Sequence, residues 1–219
     1  DQVSSRGLGD VYKRQVWIED GLPPKAVGAG DTPWQFVTAP DPVFSGKSSS
    51  VRQAKGRSQH YFTGADPPLV IEPGMTLFAH VYLDPRNPPA QIMLQFNDGS
   101  WEHRAFWGKD LIDWGTVNTS SRHHVGDLPE AGRWIRLEVD PAAVGLKPGA
   151  KLNGWAFTQV DGKVFWDQSG GRVDTNPASD PAFSWAAWKS LPENDRNSNL
   201  PGALPVSYTH LRAHETIPD

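Results

Sequence analysis

One stretch of fourteen residues concentrates side chains that could do chemistry. It reads QFNDGSWEHRAFWG and runs from Gln95 to Gly108. Its amides, carboxylates, histidine and arginine can exchange hydrogen bonds or protons, and its aromatic rings can stack on apolar surfaces. Which of these groups can reach a ligand depends on the element that carries them, because neighbouring residues of a β-strand point to opposite faces of the sheet.

The stretch is predicted to form part of a β-hairpin. A strand over 90–97 is followed by Asp98-Gly99, a pair that favours a two-residue turn, and then by a second strand over 100–108. The facing pairs in this register are Phe96 with Trp101, Gln95 with Glu102, and Leu94 with His103.

The register divides the hairpin into an apolar face and a polar face. The apolar face, predicted to be core, carries Ile92, Leu94, Phe96, Trp101, His103, Ala105 and Trp107. The polar face, predicted to meet solvent, carries Gln91, Met93, Gln95, Asn97, Glu102, Arg104 and Phe106. Each large apolar side chain in the core would contribute about 2–3 kcal/mol. His103 is therefore expected to be a core histidine with one hydrogen-bond partner.

The polar face has the groups that a carbohydrate ligand requires. Gln95, Glu102 and Arg104 can form hydrogen bonds with hydroxyl groups, and Phe106 can stack on the apolar face of a sugar ring. Trp114 in the following loop is predicted to add a stacking ring. Trp107 at the strand end adds another only if fraying of the strand at Gly108 exposes it. The alternative is an ordinary solvated face, on which the polar side chains bind only one another.

Two carboxylates are candidates for a metal site. Glu19 in VWIED and Asp167 in VFWDQSG lie in an early and a late strand, and many sugar-binding jelly rolls hold a structural calcium ion between such strands. Carboxylate oxygens are ligands that Ca²⁺ prefers. Asp167 is alternatively a partner for Arg104 or Arg136. No other cofactor is predicted in this chain.

No motif predicts catalysis. A glycoside hydrolase needs two carboxylates about 5–10 Å apart, and no E-x-D-x-E run occurs. Glu138 and Asp140 alternate, but Asp140 precedes Pro141 and is expected to serve a turn. His123 and His124 are adjacent and would point to opposite faces, so they make poor metal ligands. The G-x-S-x-G, H-E-x-x-H and Walker motifs are absent.

Composition excludes several classes of protein. The chain has 219 residues, a net charge of −4 and no basic cluster, which argues against nucleic-acid binding. No apolar run reaches the roughly 18 residues of a membrane span. Cysteine is absent, so the chain has no disulfide, thiolate metal site or c-type haem attachment.

Short strands between frequent turns predict an all-β fold, a two-sheet antiparallel β-sandwich or jelly roll. Besides the two strands above, strands are predicted over 34–37, 49–53, 58–64, 75–83, 133–139, 151–160 and 163–170. The Lys55-Gly56 and Asp161-Gly162 turns are each predicted to close a hairpin. The second of these would share a core face made of Trp155, Phe157, Val164 and Trp166.

The two chain ends are expected to be foreign to the domain. The peptides SRGLGDVYKRQ and VSYTHLRAHE are antisense translations of one DNA sequence, as expected of a sequencing adapter left on both ends of a metagenomic read. We therefore assign residues 1–15 and 205–219 to the adapter, and we expect 1–15 to be disordered. The natural reading frame is expected to extend beyond both segments. The domain would cover 16–191, with one short helix at 180–191 and a linker at 192–204.

Four segments resemble a known family. They read PVFSGKSSSVRQAKGRSQHYFTGA, LFAHVYLDPRNPPAQIMLQFNDGSWEHRAFWG, LIDWG and GLKPGAKLNGWAFTQVDGKVFWDQSG. They resemble a module of the planctomycete-type cytochrome c family, large secreted bacterial proteins in which c-type haem domains accompany domains of unknown function. The resemblance covers nearly all of 16–191 and implies a concanavalin-like or carbohydrate-binding-like β-sandwich with an accessory role outside the cytoplasm. The matching signature positions are Gln95, Trp101, Glu102, His103, Arg104, Trp107 and Trp114.

Three functions are consistent with the predicted fold and its polar face. The first is a non-catalytic carbohydrate-binding module of a larger exported protein, with a polysaccharide or glycan and neighbouring domains of the same chain as partners. The second is a structural spacer whose polar face docks another domain. The third is a concanavalin-like glycoside hydrolase or lyase, which would require two acids facing each other across a cleft.

Overall fold

The computed structural model of the protein describes residues 12–174. They include the larger of two compact units, Arg14–Val173, to which the following account applies. The helix predicted at 180–191 and the linker after it lie outside the described residues, as do both predicted adapter segments except for residues 12–15.

The described residues form fourteen strands and one short 3-10 helix. The strands are β1 (Tyr12–Ile18), β2 (Val27–Gly30), β3 (Phe36–Val37), β4 (Ser49–Gln53), β5 (Arg57–Thr63), β6 (Leu69–Val70), β7 (Met75–Leu83), β8 (Gln91–Asn97), β9 (His103–Gly108), β10 (His123–Gly126), β11 (Trp134–Val139), β12 (Lys151–Leu152), β13 (Gly154–Val160) and β14 (Lys163–Asp174). The 3-10 helix is Pro141–Val144. No helix among these residues is long and apolar enough to cross a membrane.

The strands form two six-stranded sheets and one small ribbon. The first sheet has the order β11-β7-β14-β4-β3, with β1 beside β14, and the second has the order β10-β9-β8-β13-β5-β2. β6 and β12 pair with each other. Apart from β9 with β10, every strand pair whose register is described is antiparallel. The predicted all-β antiparallel sandwich is therefore confirmed.

The first strand extends into the stretch assigned to adapter sequence. β1 begins at Tyr12 and pairs with β14. Residues 12–15 are therefore part of a strand, although disorder is expected for them from the sequence. The adapter origin of the two ends stays a prediction.

The inner faces of the two sheets form one apolar core, which includes the predicted core residues Ile92, Leu94, Phe96, Trp155, Phe157, Val164 and Trp166. In β7, Leu77, Ala79, Val81 and Leu83 are all buried. Across the interior, the rings of Phe157 and Trp166 stack with their centroids 4.5 Å apart. This contact joins the second sheet to the first, because β13 and β14 belong to different sheets.

Two turns that are predicted to close hairpins instead carry the chain from one sheet to the other. β4 and β14 lie in the first sheet, whereas β5 and β13 lie in the second. The two corners bind each other: the Ala54 amide donates to the Gly162 carbonyl at 2.9 Å, and the Asp161 amide donates to the Gly56 carbonyl at 2.9 Å. The hairpin prediction is wrong because the consecutive strands lie in different sheets instead of side by side in one sheet. Their apolar faces meet across the interior of the sandwich.

Candidate functional site

The hairpin of β8 and β9 is confirmed, with a longer loop than predicted. Residues 98–102 form a five-residue connection instead of a two-residue turn. The observed register places Gln95 opposite Arg104 and Phe96 opposite His103, which is two residues away from the predicted register. Because side chains alternate with a period of two, a shift of two changes every cross-strand partner but leaves each strand residue on its predicted face.

The predicted core face of the hairpin is confirmed for the strand residues other than His103. Ile92, Leu94, Phe96 and Ala105 are fully buried in the main core. Trp107 belongs to the same core and is 6% exposed. Its predicted role in stacking on a ligand is therefore wrong, because its ring is enclosed between the two sheets.

The opposite face of the hairpin is also buried, contrary to the prediction that it meets solvent. Gln95 is 2% exposed and Arg104 is 6% exposed. The segment between β9 and β10 lies over this face: the amides of Leu111 and Ile112 donate to Gln91 Oε1 at 2.8 and 2.9 Å. The prediction fails because a covering loop depends on tertiary contacts and not on strand alternation.

A small second core forms beneath that loop. Met93, Phe106 and Ile112 pack together, with Trp114 and Val160 against them. Phe106 is 1% exposed. Its predicted role as a stacking ring for a ligand is also wrong, because the loop and the ring of His124 cover it, the latter at a centroid distance of 4.7 Å.

Arg104 is the centre of a hydrogen-bond network under the loop. Its Nε donates to Gln95 Oε1 at 3.0 Å, and its terminal nitrogens donate to Glu102 at 3.0 and 3.1 Å. One of them also donates to the Ser121 carbonyl at 2.9 Å, and Gln95 Nε2 donates to Thr158 Oγ1 at 2.8 Å. The guanidinium holds the pKa of Glu102 below its usual value. The alternative in which these polar side chains bind one another is thus observed, although Gln95 and Arg104 are buried and only Glu102 is exposed to solvent.

Trp101 lies on the outer face instead of in the core. It belongs to the five-residue loop and contacts Tyr61 edge to face, with ring centroids 5.6 Å apart. A side chain at Gly154 would come within 3.3 Å of the Trp101 ring, so the ring lies over the end of β13. The core prediction for Trp101 is wrong because it depended on a two-residue turn.

The loop that carries Trp101 is anchored by His103. The Nδ1 atom of His103 lies 2.7 Å from the Val144 carbonyl and its Nε2 atom lies 3.1 Å from Asp98 Oδ1. The histidine is half-buried with two partners, in place of the fully buried residue with one partner that is predicted. The imidazole therefore connects the loop residue Asp98 to the 3-10 helix residue Val144.

β5 contributes site residues that the sequence interpretation missed. Gln59 and Tyr61 are half-buried on the outer face, between inward-facing residues such as His60. Ala156 of β13 lies between Tyr61 and Gln95 in the register. The alternation of SQHYFT was the available signal, because it places glutamine and tyrosine on the same side.

The outer face therefore has two aromatic borders. Tyr61 and Trp101 form one of them. Trp114 forms the other, and the guanidinium of Arg57 lies 4.6 Å from its ring centroid. Arg57 also forms an ion pair with Asp113 at 3.3 Å. The residues between the borders, such as Ala156 and Thr158, have short side chains. We name the surface made of Arg57, Gln59, Tyr61, Trp101, Glu102 and Trp114 the outer-face site.

Glu19 and Asp167, the predicted calcium ligands, do lie near each other. Ser45 connects them: its hydroxyl donates to Glu19 Oε1 at 2.5 Å and its amide donates to Asp167 Oδ2 at 3.2 Å. The Phe44 and Gln168 amides also donate to Asp167, both at 2.7 Å. Burial raises the pKa of Asp167 despite these three donors, and the charge of Glu19 raises it further. The alternative pairing of Asp167 with Arg104 or Arg136 is not observed, since these arginines pair with Glu102 and Glu138.

These donors only partly suit a calcium ion. The carboxylate oxygens of Glu19 and Asp167 are ligands of the right type, but both oxygens of Asp167 already accept amide hydrogens. Within residues 12–174 no group of three or more His, Cys, Asp or Glu side chains could hold a metal. Calcium at this site stays a prediction.

Calcium is expected to raise the thermal unfolding temperature of the full chain if it binds between these carboxylates. The stabilisation should saturate with calcium and be reversed by EDTA, because an ion that binds only the folded state shifts unfolding by mass action. Glu19→Gln should abolish the response, whereas Glu138→Gln, which alters an exposed carboxylate, should preserve it. Equal unfolding temperatures with calcium and with EDTA would show that the amide donors alone hold Asp167.

Residues considered for catalysis have structural partners. Asp140 accepts from the Ala142 amide at 2.9 Å and caps the 3-10 helix, which confirms its predicted turn role. Glu138 pairs with Arg136. His124 stacks on Phe106 and lies 3.1 Å from the Gly126 carbonyl.

Known structures resemble this chain, although no protein-family model matches it and no curated protein does. One is the module TmCBM61 in complex with beta-1,4-galactotriose, with 10% identity, 72% of this chain and 98% of that chain covered, and a TM-score of 0.40. Another is the C-terminal family 22 carbohydrate-binding module of Clostridium thermocellum Xyn10B, with 11% identity, 76% and 96% covered, and a TM-score of 0.40. A third is SGBP-B from a complex xyloglucan utilization locus in Bacteroides uniformis, with 10% identity, 71% and 48% covered, and a TM-score of 0.42. At such identities and TM-scores the likeness says nothing about ligands.

Proposed function

We propose that this domain is a non-catalytic carbohydrate-binding module and that the outer-face site binds the glycan. The observation that carries the proposal is the placement of the rings of Tyr61, Trp101 and Trp114 on the outer face of the second sheet, each only partly buried. Aromatic rings with an apolar body and a polar edge suit the C–H faces and hydroxyls of a sugar.

The polar residues of the site supply hydrogen bonds beside those rings. Glu102 accepts and Arg57 donates, while Gln59 does both. Arg104 acts from below: it orients Glu102 and holds the covering loop through the Ser121 carbonyl. Of the six predicted ligand residues, Glu102 and Trp114 therefore stay in the proposed contact surface, and Gln95 and Arg104 support it.

The two rings at the Trp101 border are perpendicular, with an interplanar angle of 80°. This arrangement offers one ring face and one ring edge to a ligand instead of a flat two-ring platform. We therefore expect Trp101 and Tyr61 to contact a single sugar unit, with Trp114 contacting a further unit of the same chain.

Replacement of Trp101 by alanine is expected to weaken glycan binding about 30-fold. The loss reflects the roughly 2 kcal/mol or more that a central aromatic contact contributes to binding. A glycan array on the full 219-residue chain would identify a ligand, and isothermal titration calorimetry with that glycan would compare wild type with Trp101→Ala.

Phe44→Ala is the matched control, because Phe44 is an exposed ring, 43% accessible, that stacks on His80 of the first sheet. It should retain wild-type affinity, and both variants should unfold at wild-type urea concentrations. If Trp101→Ala binds the glycan as tightly as wild type, the outer-face site is not the binding surface.

A docking domain is the second candidate function, and the Arg104 network favours it. A glutamate on the surface that is held by a buried arginine can serve a protein partner as well as a sugar. If no glycan on the array binds, the docking function gains support.

Three further expectations stay predictions: a larger exported parent protein, haem domains beside this one, and the resemblance to the planctomycete-type cytochrome c family.

A further inference from the structure

One end of the sandwich interior is polar, beside the two corners at 54–56 and 161–162. Arg52 comes two residues before the first corner and Ser58 two residues after it, while Gln159 precedes the second corner. Arg52 pairs with the core residue Val164 in the register of the first sheet. Gln159 pairs with Ser58 in the second sheet. Because the corners are hydrogen-bonded to each other, these inward side chains face one another between the sheets.

Several polar atoms here are buried without a partner. Arg52 is 5% exposed, His60 2% and Gln159 1%. The Nε of Arg52, both ring nitrogens of His60 and the Oε1 of Gln159 have no hydrogen-bond partner among the described residues. The orientation of the Gln159 amide follows from its contacts, since its Nε2 donates to the carbonyls of Asp161 and Gly162 at 2.8 and 3.0 Å.

The cation in this cluster has no ion-pair partner within 12–174. Arg52 donates through a terminal nitrogen to the Thr32 carbonyl at 3.1 Å, and no described carboxylate forms an ion pair with it. Burial lowers the pKa of Arg52, and the charge of Asp31, an exposed residue, acts on it in the opposite direction. Buried charges in proteins are normally paired, because an unpaired ion in a low-dielectric interior is costly.

Aromatic rings close this end of the interior. Trp34 lies edge-on to His60 at a centroid distance of 4.4 Å, and Phe157 lies 5.4 Å from the same ring. The Trp34 Nε1 donates to the Tyr61 carbonyl at 2.9 Å, which ties the covering ring to β5. A group that neutralises Arg52 must therefore be small and enclosed.

We propose that a small monovalent anion, with the size and charge of chloride, binds in this cluster between the two sheets. The Nε–H of Arg52 and one ring N–H of His60 would donate to the anion. One negative charge matches the one guanidinium of this cluster. The anion would stabilise the corners and hence β5, which carries Gln59 and Tyr61 of the outer-face site.

Thermal unfolding of the full chain at constant ionic strength tests the proposal. Sodium gluconate, whose anion is too large for this enclosed cluster, is replaced stepwise by sodium chloride. The unfolding temperature of wild type should rise by about 3 °C or more and then saturate, because a ligand specific to the folded state stabilises it.

Arg52→Met, which keeps the length of the side chain, should unfold at one temperature in both salts. Arg133→Gln is the matched control, since Arg133 is an exposed arginine with a 62% accessible side chain, and it should respond as wild type does. A response that does not saturate, or one that Arg52→Met shares, identifies an adventitious ion only and overturns the proposal.

Crystals of wild type grown in sodium bromide give a second test that does not require a folded variant. An anomalous bromide peak within hydrogen-bond distance of Arg52 Nε supports the anion site. Ordered water in that position, without an anomalous peak, overturns it.

Discussion

Lowering the pH from 6.5 to about 3 is expected to reduce the free energy of unfolding by about 4 kcal/mol through His60 alone. Burial lowers the pKa of His60 to about 3, and the nearby charge of Arg52 lowers it further. The unfolded chain would protonate this histidine near its ordinary pKa, while the folded chain keeps it neutral. Between the two values the unfolded state binds more protons, so stability falls as the pH falls.

Urea unfolding at a series of pH values, without added chloride, measures this effect. His60→Phe removes the titrating group and keeps a ring against Trp34 and Phe157, so most of the pH dependence should disappear. His124→Gln, which removes an exposed histidine, should keep the wild-type dependence of stability on pH. Chloride should reduce the acid sensitivity, because an anion beside Arg52 opposes its effect on His60.

The comparison with His60→Phe is needed because other groups also titrate in this range. Amide donors hold the pKa of Asp20 below its usual value, and Arg104 does the same for Glu102, so both also favour unfolding as the pH falls. Asp167 acts in the opposite sense, since its raised pKa means that the folded chain gains its proton first. An identical pH dependence for wild type and His60→Phe would show that His60 is not neutral in the folded chain.

Replacement of Arg104 by methionine is expected to destabilise the domain by about 3 kcal/mol. The methionine chain preserves part of the packing, but Gln95 Oε1 and the Ser121 carbonyl lose their donors. Leaving buried acceptors unpaired costs about 1–3 kcal/mol each. Urea unfolding near neutral pH measures the change.

Glu102→Gln is the matched control for the ion pair. The Glu102 side chain is 61% exposed, so its loss should cost less than about 1 kcal/mol. Hydrogen exchange should report the cause: in Arg104→Met the amides of Leu111 and Ile112 should exchange faster, because the loop loses an anchor. If Arg104→Met is as stable as Glu102→Gln, Arg104 is not an anchor of the loop.

The strands and their faces follow from local sequence. The alternation in β8 and β13 identifies the inward residues correctly, because the direction of a side chain in a strand depends only on its own position and period. The same rule places Gln95 and Arg104 on the outer face of β8 and β9. This placement holds although the loop is longer than the predicted turn, since the observed register differs from the predicted one by two residues.

The pairing of strands, the burial of their outer faces and the paths of the loops depend on the whole fold. The Asp161-Gly162 turn has the composition of a hairpin turn, yet it connects two sheets because Phe157 and Trp166 meet across the core. Gln95 and Arg104 are buried because the segment after β9 folds back over them, and Trp101 is on the surface because a five-residue loop carries it there.

The sequence by itself determined that this is an all-β sandwich, which residues face inward, and that glutamine, glutamate and arginine lie on the other side of the central hairpin. Only the tertiary structure decided which of those outward residues meet solvent, and it replaced Phe106 and Trp107 with Tyr61 and Trp101 as candidate ligand contacts. The physical reason is that side-chain direction is a local property of the backbone, whereas burial depends on distant segments that pack over it.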